Sequence, residues 1–394
     1  MKESLFNYRF EYENQKYIFN TNNNGLIQIN NDIFTEEERE YLRVNRFWVD
    51  DNEDEIALLE REINHNIQKR QKELELTIAL TNYCNFSCVY CYQNKNEKLM
   101  TTEVANMIIE KIDRILNDNI FEGINIHYFG GEPLLNIPVL IYLDENIKKI
   151  TDKIGIVYKA FLTTNGSMLS KELLQKVKFS SIQLTFDGLE KTHDRLRVSD
   201  HFHFKEEIEL IENIMNFSQA KVLLRTNICK ENKDEIIALH KYIFEKFGNE
   251  RIEINPNRTI KYHQDDSFEM LSVQEYAEVA YQIKLLWSEQ KGKFELPVPR
   301  STPCKFPYGN AYAISPEGYC TFCSGSMDQE KKYFFDVDIE NKKMFSVRKE
   351  CKKCNILPLC LGGCIIQYNL RAGACTCEKY ELKNILISYI KHIS

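Results

Sequence analysis

Leu74-Glu75-Leu76-Thr77-Ile78-Ala79-Leu80 runs, three residues later, into Cys84-Asn85-Phe86-Ser87-Cys88-Val89-Tyr90-Cys91. The first seven residues read as a strand. Three cysteines, spaced by three and then two residues on the loop that follows, can wrap one face of a cubane iron–sulfur cluster. Three ligands on four irons leave one iron open to a chelating small molecule. A structural zinc site closes with four ligands, and the fourth is missing locally. Zinc therefore competes only if the nearby His127 completes the set.

Outward from this run, strand and amphipathic helix alternate as far as about Lys291. Strands are expected at Leu74–Leu80, Ile124–Phe129, Tyr158–Leu162, Ser181–Phe186, Lys221–Ile228 and Arg251–Ile254. Helices are expected at Val104–Leu116, Pro138–Ile150, Lys171–Val177, Phe204–Met215, Asp234–Phe247 and Val273–Trp287. Six βα units in succession imply an α/β fold with a parallel sheet and helices outside. Six are too few for an eight-fold barrel, so a partial (β/α)6 TIM-type barrel is expected over residues 74–295. In such folds chemistry sits at the carboxyl ends of the strands.

Residues 1–73 read as a small N-terminal module. Tyr17–Asn20 and Leu26–Ile29 are short strands around the turn Thr21-Asn22-Asn23-Asn24-Gly25, and a charged helix starts near Asp54. This module is expected either to shield a barrel edge or to bind a partner. Residues 296–394 are loop-rich and cysteine-rich, with a last helix near Lys383–Ile393. So few regular elements imply a dependence on metal.

A chain of 394 residues is too long for one core and implies two or three domains. Lys plus Arg is 51 and Asp plus Glu is 58, so the net charge is 51 − 58 = −7. That balance does not suit a phosphate-backbone binder, and no nucleic-acid partner is expected. No apolar run reaches the ~20 residues of a membrane span, and no secretory signal opens the chain. A cytoplasmic location without a membrane partner is expected. Thirteen cysteines then point to metal or catalysis rather than disulfides. Three lie within the quoted run, Cys229 stands alone as a small buried apolar residue, and nine fall between Cys304 and Cys377.

CxxxCxxC with Tyr90 before its last cysteine resembles the signature of the radical S-adenosylmethionine (SAM) enzymes. Further motifs follow at successive strand ends. Gly130-Gly131-Glu132-Pro133-Leu134 resembles the family's GGEP loop beneath the SAM amino group, where glycine permits close backbone approach. Thr164-Asn165-Gly166 ends the third strand, and Thr185-Phe186-Asp187-Gly188 the fourth. His193-Asp194-Arg195-Leu196-Arg197 comes next, and Arg225-Thr226-Asn227 lies on the fifth strand. Each is weak alone, since Asn-Gly is usually just a turn. Their order and placement over residues 74–255 carry the resemblance. It implies a 4Fe-4S cluster on Cys84, Cys88 and Cys91. It also implies SAM contacts at Tyr90, Gly130, Gly131, Glu132, Pro133, Thr164, Asn165, Thr185, Asp187, Arg197 and Arg225.

The C-terminal cysteines resemble the SPASM domain, which carries two further clusters in radical SAM enzymes that act on peptides and proteins. The resemblance implies auxiliary cluster I on Cys304, Cys323 and Cys364. Some relatives place its fourth ligand where this chain has Asn310, so Cys320 or an open, substrate-binding iron takes that role. Auxiliary cluster II is implied on Cys351, Cys354, Cys360 and Cys375, with Cys377 as the alternative to Cys375. Zinc knuckles are the competing assignment for CxxC pairs.

The resemblance implies an oxidoreductase that receives an electron from flavodoxin or ferredoxin and makes a 5′-deoxyadenosyl radical. The radical takes a hydrogen from a ribosomally made (RiPP) precursor peptide, and a thioether or other cross-link forms. The N-terminal module, with Phe47-Trp48-Val49-Asp50, resembles leader-contact regions of peptide maturases. Anaerobic sulfatase maturation to formylglycine is the second reading. Those relatives carry an aspartate directly after the cysteine that follows the glycine, and here Ser324 follows Cys323. Peptide epimerisation is a lesser alternative, and an iron–sulfur scaffold is the non-enzyme one.

Overall fold

A computed structural model describes residues 1–29, 34–70, 72–118, 121–248, 251–262, 267–321, 323–326, 332–337, 344–369, 375–376 and 378–393. They form two compact units, one of residues 69–271 with 305–343, the other of 1–68 with 272–304 and 344–394.

The first unit is built on strands β1 (Glu73–Ala79), β2 (Gly123–Phe129), β3 (Val157–Thr163), β4 (Phe179–Thr185), β5 (Lys221–Ile228) and β6 (Ile252–Arg258). They pair in chain order and all in parallel. Helices Thr102–Asp118, Ile137–Ile154, Lys171–Lys176, Phe204–Phe217 and Ile236–Phe247 fall between them. This is the α/β partial barrel expected from the alternation. Leu74, Leu76, Ile78, Ile124, Ile126, Tyr128, Ile182 and Leu184 are buried on one face, as are helix residues Ile108, Ile112, Leu140, Leu143 and Ile147. Many alternate positions are polar, among them Glu75, Asn125, His127, Thr163 and Gln183, beside the apolar Phe161 and Leu223. With Lys305 they line a cavity of about 180 Å³. A face built only for packing would not carry so many polar groups.

Three further strands extend the sheet beyond β1. β7 (Ala311–Ile314) pairs with β1 in parallel, from Ala311↔Glu75 to Ile314↔Ile78. β8 (Tyr319–Thr321) and β9 (Lys332–Tyr333) follow antiparallel, giving nine strands. From the sequence, everything after residue 295 is expected to be loop-rich. The four residues of β7 are all buried and cover the backbone edge that β1 would otherwise expose.

In the second unit Asn7–Tyr12, Gln15–Asn20 and Gly25–Ile29 form an antiparallel sheet. Phe10, Tyr17 and Phe19 share one apolar core with Ile356, Leu359, Leu382, Leu386 and Ile390, the last three on the helix Glu378–Ile393. The C-terminal segment therefore has an apolar support that its loop-rich sequence does not advertise. Helix Val273–Lys291 starts at a Ser272/Glu275 capping box and ends at Gly292, whose φ is +61°. Among the described residues no helix is long and apolar enough to cross a membrane.

Candidate functional site

The loop that leaves β1 is suspended from the loop that leaves β2. Gly131 N donates to Thr81 O at 2.8 Å, and Glu132 N donates to Tyr83 O at 2.9 Å. A Cβ on either Gly130 or Gly131 would collide with those backbone carbonyls, and Gly130 adopts φ +141°. The close approach seen here is thus to the backbone that delivers Cys84. Gln93, just past Cys91, donates to Gly130 O at 3.0 Å. The three-cysteine run is tied at both ends to one glycine pair.

Glu132 ties the next strand in. It is 0% exposed. Its carboxylate accepts from Thr164 Oγ1 at 2.6 Å, Asn165 N at 2.6 Å and Leu134 N at 3.0 Å. Burial pushes its pKa up to about 7 against the pull of those bonds. Pro133 opens the short helical turn Pro133–Asn136, and Asn136 Nδ2 donates to Leu80 O and Met100 O at 3.1 and 2.9 Å. Asn165 Nδ2 donates to Asn85 Oδ1 at 2.8 Å and lies 3.9 Å from Cys84 Sγ.

The far side of the loop leans on β4 and β5. Ser87 N donates to Val198 O at 2.8 Å and Val89 N to Leu196 O at 3.0 Å, which brackets Cys88 against Arg197. The Tyr90 hydroxyl donates to Asp187. Asp187 Oδ1 accepts from Asn227 N at 2.7 Å, and its carbonyl accepts from Asn232 Nδ2 at 2.9 Å. Arg225 Nε donates to Asn227 Oδ1 at 2.9 Å, and Arg225 is the register partner of the buried Thr185. The SAM-contact residues expected from the sequence are thereby gathered at the carboxyl ends of β1 to β5.

Cys84, Cys88 and Cys91 lie on the loop these bonds anchor. Burial raises Cys84 and raises Cys88 to about 11, and the neighbouring thiols add to both shifts. They stay protonated at neutral pH unless a metal displaces the proton. Among the described residues no three His, Cys, Asp or Glu side chains close around a single metal ion. Asn85, Gln93, Asn232 and Glu207 are absent from the sequence expectation. Only Glu207 leaves a trace, as a charge on the apolar face of the helix Phe204–Phe217.

The family model of the radical SAM superfamily matches residues 78–243, from β1 into the helix after β5. These residues are a radical SAM domain. A radical SAM domain implies SAM and a 4Fe-4S cluster. The chain is 24% identical to the radical SAM cyclopropyl synthase TigE of Paramaledivibacter caminithermalis, over 83% of this chain and 76% of that protein. It spans less of other curated relatives it matches, 39% of an uncharacterised Methanocaldococcus jannaschii protein and 53% of a Helicobacter pylori GTP 3′,8-cyclase. In fold it resembles anSMEcpe with bound AdoMet, with TM-score 0.63 and 17% identity over 82% of this chain and all of that one. It also resembles Streptococcus suis SuiB bound to its precursor peptide SuiA, with TM-score 0.55 and 16% identity over 96% and 98% of the two chains.

The residues of the radical SAM domain fit an open-site cluster, with three thiols on one anchored loop and, among the described residues, no His, Cys, Asp or Glu set that closes on a single ion. In the second unit Cys351 N donates to Arg348 O and Cys354 N to Cys351 O, at 2.9 and 3.0 Å, in consecutive tight turns. Cys360 closes the four-residue helix Leu357–Cys360, before three left-handed residues at Leu361, Gly362 and Gly363. Burial raises the Cys360 thiol, Cys354 adds to this, and a hydrogen bond with Thr376 opposes it. The segment carrying Cys375 therefore lies beside Cys360, while Cys377 falls outside the described residues. Cys304 and Cys364 belong to this unit and are exposed, whereas Cys320 and Cys323 belong to the sheet unit. Cys320 is buried on β8, and Cys323 Sγ accepts from Gly325 N at 3.3 Å.

Proposed function

We propose that this chain is a radical SAM peptide maturase acting in the cytoplasm on a ribosomally made precursor peptide, forming a thioether or other cross-link. The observation that carries this reading is the second cysteine set, with Cys354 and the Cys375 segment drawn up to Cys360 within one unit. Fold likeness to SuiB, solved with a precursor peptide, supports a peptide substrate. Likeness to TigE, a cyclopropyl synthase by name, supports a bond-forming outcome.

In this reading Cys84, Cys88 and Cys91 hold the cluster, and Tyr90, the Gly130–Pro133 loop, Thr164, Asn165, Thr185, Asp187, Arg197 and Arg225 receive SAM. When bound, these two groups supply a 5′-deoxyadenosyl radical, at potentials within the iron–sulfur range that reaches about −700 mV. The protein orients and shields. Glu132 fixes Thr164 and Asn165 against the cysteine loop, so the mouth is held before a ligand arrives. Asp187, through Tyr90 and Asn227, fixes the opposite wall. Cys304, Cys323 and Cys364 are assigned to auxiliary cluster I, with Cys320 or an open, substrate-binding iron in the fourth place, and Cys351, Cys354, Cys360 and Cys375 to auxiliary cluster II, with Cys377 as the alternative to Cys375, three clusters in all. Flavodoxin or ferredoxin is the proposed electron donor.

Leader recognition is assigned to residues 1–73. Deleting them would remove the strands that share a core with Leu382 and Leu386, so the intact chain is photocrosslinked to a leader peptide instead. Crosslinks confined to other residues would reject the assignment.

Sulfatase maturation is the second reading, favoured by the fold likeness to anSMEcpe and weakened by Ser324 after Cys323. Intact-mass analysis of peptides copurified anaerobically, before and after SAM and reductant, separates the two. A bound peptide that becomes two hydrogens lighter supports cross-linking. An aldehyde on a sulfatase-derived peptide supports the second reading. No 5′-deoxyadenosine at all would leave the scaffold.

A further inference from the structure

The helix Phe204–Phe217 buries Phe204, Ile208, Ile211 and Ile214, and with them one carboxylate, Glu207, at 0% exposure. A carboxylate removed from water in this way needs an opposite charge against it. Neither Glu207 oxygen has a well-aligned hydrogen bond. Instead Oε2 lies 3.1 Å from His193 Nε2 and 4.0 Å from Arg197 Nε. Arg197 is itself only 6% exposed, and its Nε is also unbonded. Its guanidinium carbon sits 5.4 Å from the Phe86 ring centroid. The backbone bonds Val89 N to Leu196 O and Ser87 N to Val198 O then hold Arg197 across from Cys88. One buried cation thus stands between a cysteine of the radical SAM loop and a buried anion that no SAM-contact motif includes.

We infer that Glu207 is a positioning residue for the three-cysteine site. It holds Arg197 against Phe86 and offsets part of the positive charge presented to Cys88, and so it sets the reduction potential of the cluster bound there. The inference rests on Cys84, Cys88 and Cys91 being the cluster ligands. Its physics is direct. A cluster gains one negative charge on reduction, so a nearby positive charge favours the reduced form, and local charge is one of the known levers on these potentials. The other carboxylates coupled to Arg197 are already engaged, Asp187 by Tyr90 and the Asn227 amide, and Glu132 by Thr164 and the Asn165 amide. Glu207 has one competing contact, His193 Nε2 at 3.1 Å, and no hydrogen bond from a backbone amide or hydroxyl.

The test is anaerobic potentiometric titration of the full-length, iron-loaded protein, following the electron paramagnetic resonance signal that SAM perturbs. E207Q keeps the shape and removes the charge. It is expected to favour reduction about tenfold, a shift of ~59 mV toward less negative potential for one electron. R197Q is expected to shift the opposite way, and the effect of E207Q should shrink in the R197Q background. An unchanged E207Q potential, at parental iron content, would overturn the inference. So would an equal E207Q shift with and without Arg197. Should E207Q not fold, E207D withdraws the charge by one methylene, and an unchanged potential there counts equally against. C88A separates the two levels. Loss of the SAM-sensitive signal there upholds the ligand assignment, and its persistence rejects that assignment and the inference together.

Discussion

The two cysteine-bearing regions are built on different plans. Cys84, Cys88 and Cys91 sit on a loop tied by backbone and buried side chains to the ends of β2, β3 and β4, through Gly131, Glu132, Asn165 and Leu196. Cys351, Cys354 and Cys360 sit on turns and a four-residue helix, with three left-handed residues directly after Cys360. What steadies the second region is apolar, because Ile356 and Leu359 reach into the core shared with Phe10, Phe19 and Leu386. The rim is therefore shaped by its polar bonds before any ligand binds. In the second region an apolar core, not a set of polar bonds, fixes the chain's path past the cysteines.

The largest expected effect attacks the polar plan. Gly131→Ala drives a methyl group into the Tyr83 carbonyl, with backbone on both sides and no side chain able to yield. A loss of about 4 kcal/mol is expected, in the range reserved for such clashes. Both tryptophans, Trp48 and Trp287, lie in the other unit. Circular dichroism should therefore show an earlier transition that tryptophan fluorescence does not follow. Coincident transitions would mean that the two plans stabilise one cooperative whole.

The converse attack is Leu386→Ala, in the middle of the C-terminal helix and fully buried. About 3 kcal/mol is expected from lost burial and the cavity left behind. Fluorescence should now report the earlier transition, and backbone hydrogen exchange in β1 to β5 should stay at parental rates. Faster exchange in those strands would break the comparison.

Much of the first plan was legible in the sequence, because period-two strands and amphipathic helices repeat with cysteines and glycines at their junctions. The strand run Lys221–Ile228 and the helix start at Phe204 come out as expected. β7 was not legible. Its four residues are too short to show alternation, and its partner β1 lies more than two hundred residues earlier. The function of Gly131 was legible as close approach but not its object, since nothing local to Gly-Gly-Glu-Pro says that Thr81 and Tyr83 will stand there. The core joining Phe10 and Phe19 to Leu386 is likewise a pairing of two ordinary amphipathic patterns, and neither pattern names the other.

The smallest effect concerns His240, fully buried beneath β5, where its Nε2 lies 3.2 Å from Thr226 Oγ1. Burial pushes its pKa down to about 4, against 6.5 in the ordinary case. The folded chain thus keeps His240 neutral, while the unfolded chain protonates it below about 6.5. Its contribution to stability is complete above that pH and is lost as the pH falls toward 4. The slope is at most about 1.4 kcal/mol per pH unit. His240→Gln keeps a hydrogen-bonding partner for Thr226 and removes the titration. Urea unfolding of both proteins by circular dichroism should give a difference that widens between pH 4 and 6.5 and levels off above. Tryptophan fluorescence should show no such widening, because His240 belongs to the sheet unit. A flat difference by circular dichroism would mean that the unit opens enough near β5 for water to reach the imidazole, and that the polar rim rests on a less rigid sheet than its bonds imply.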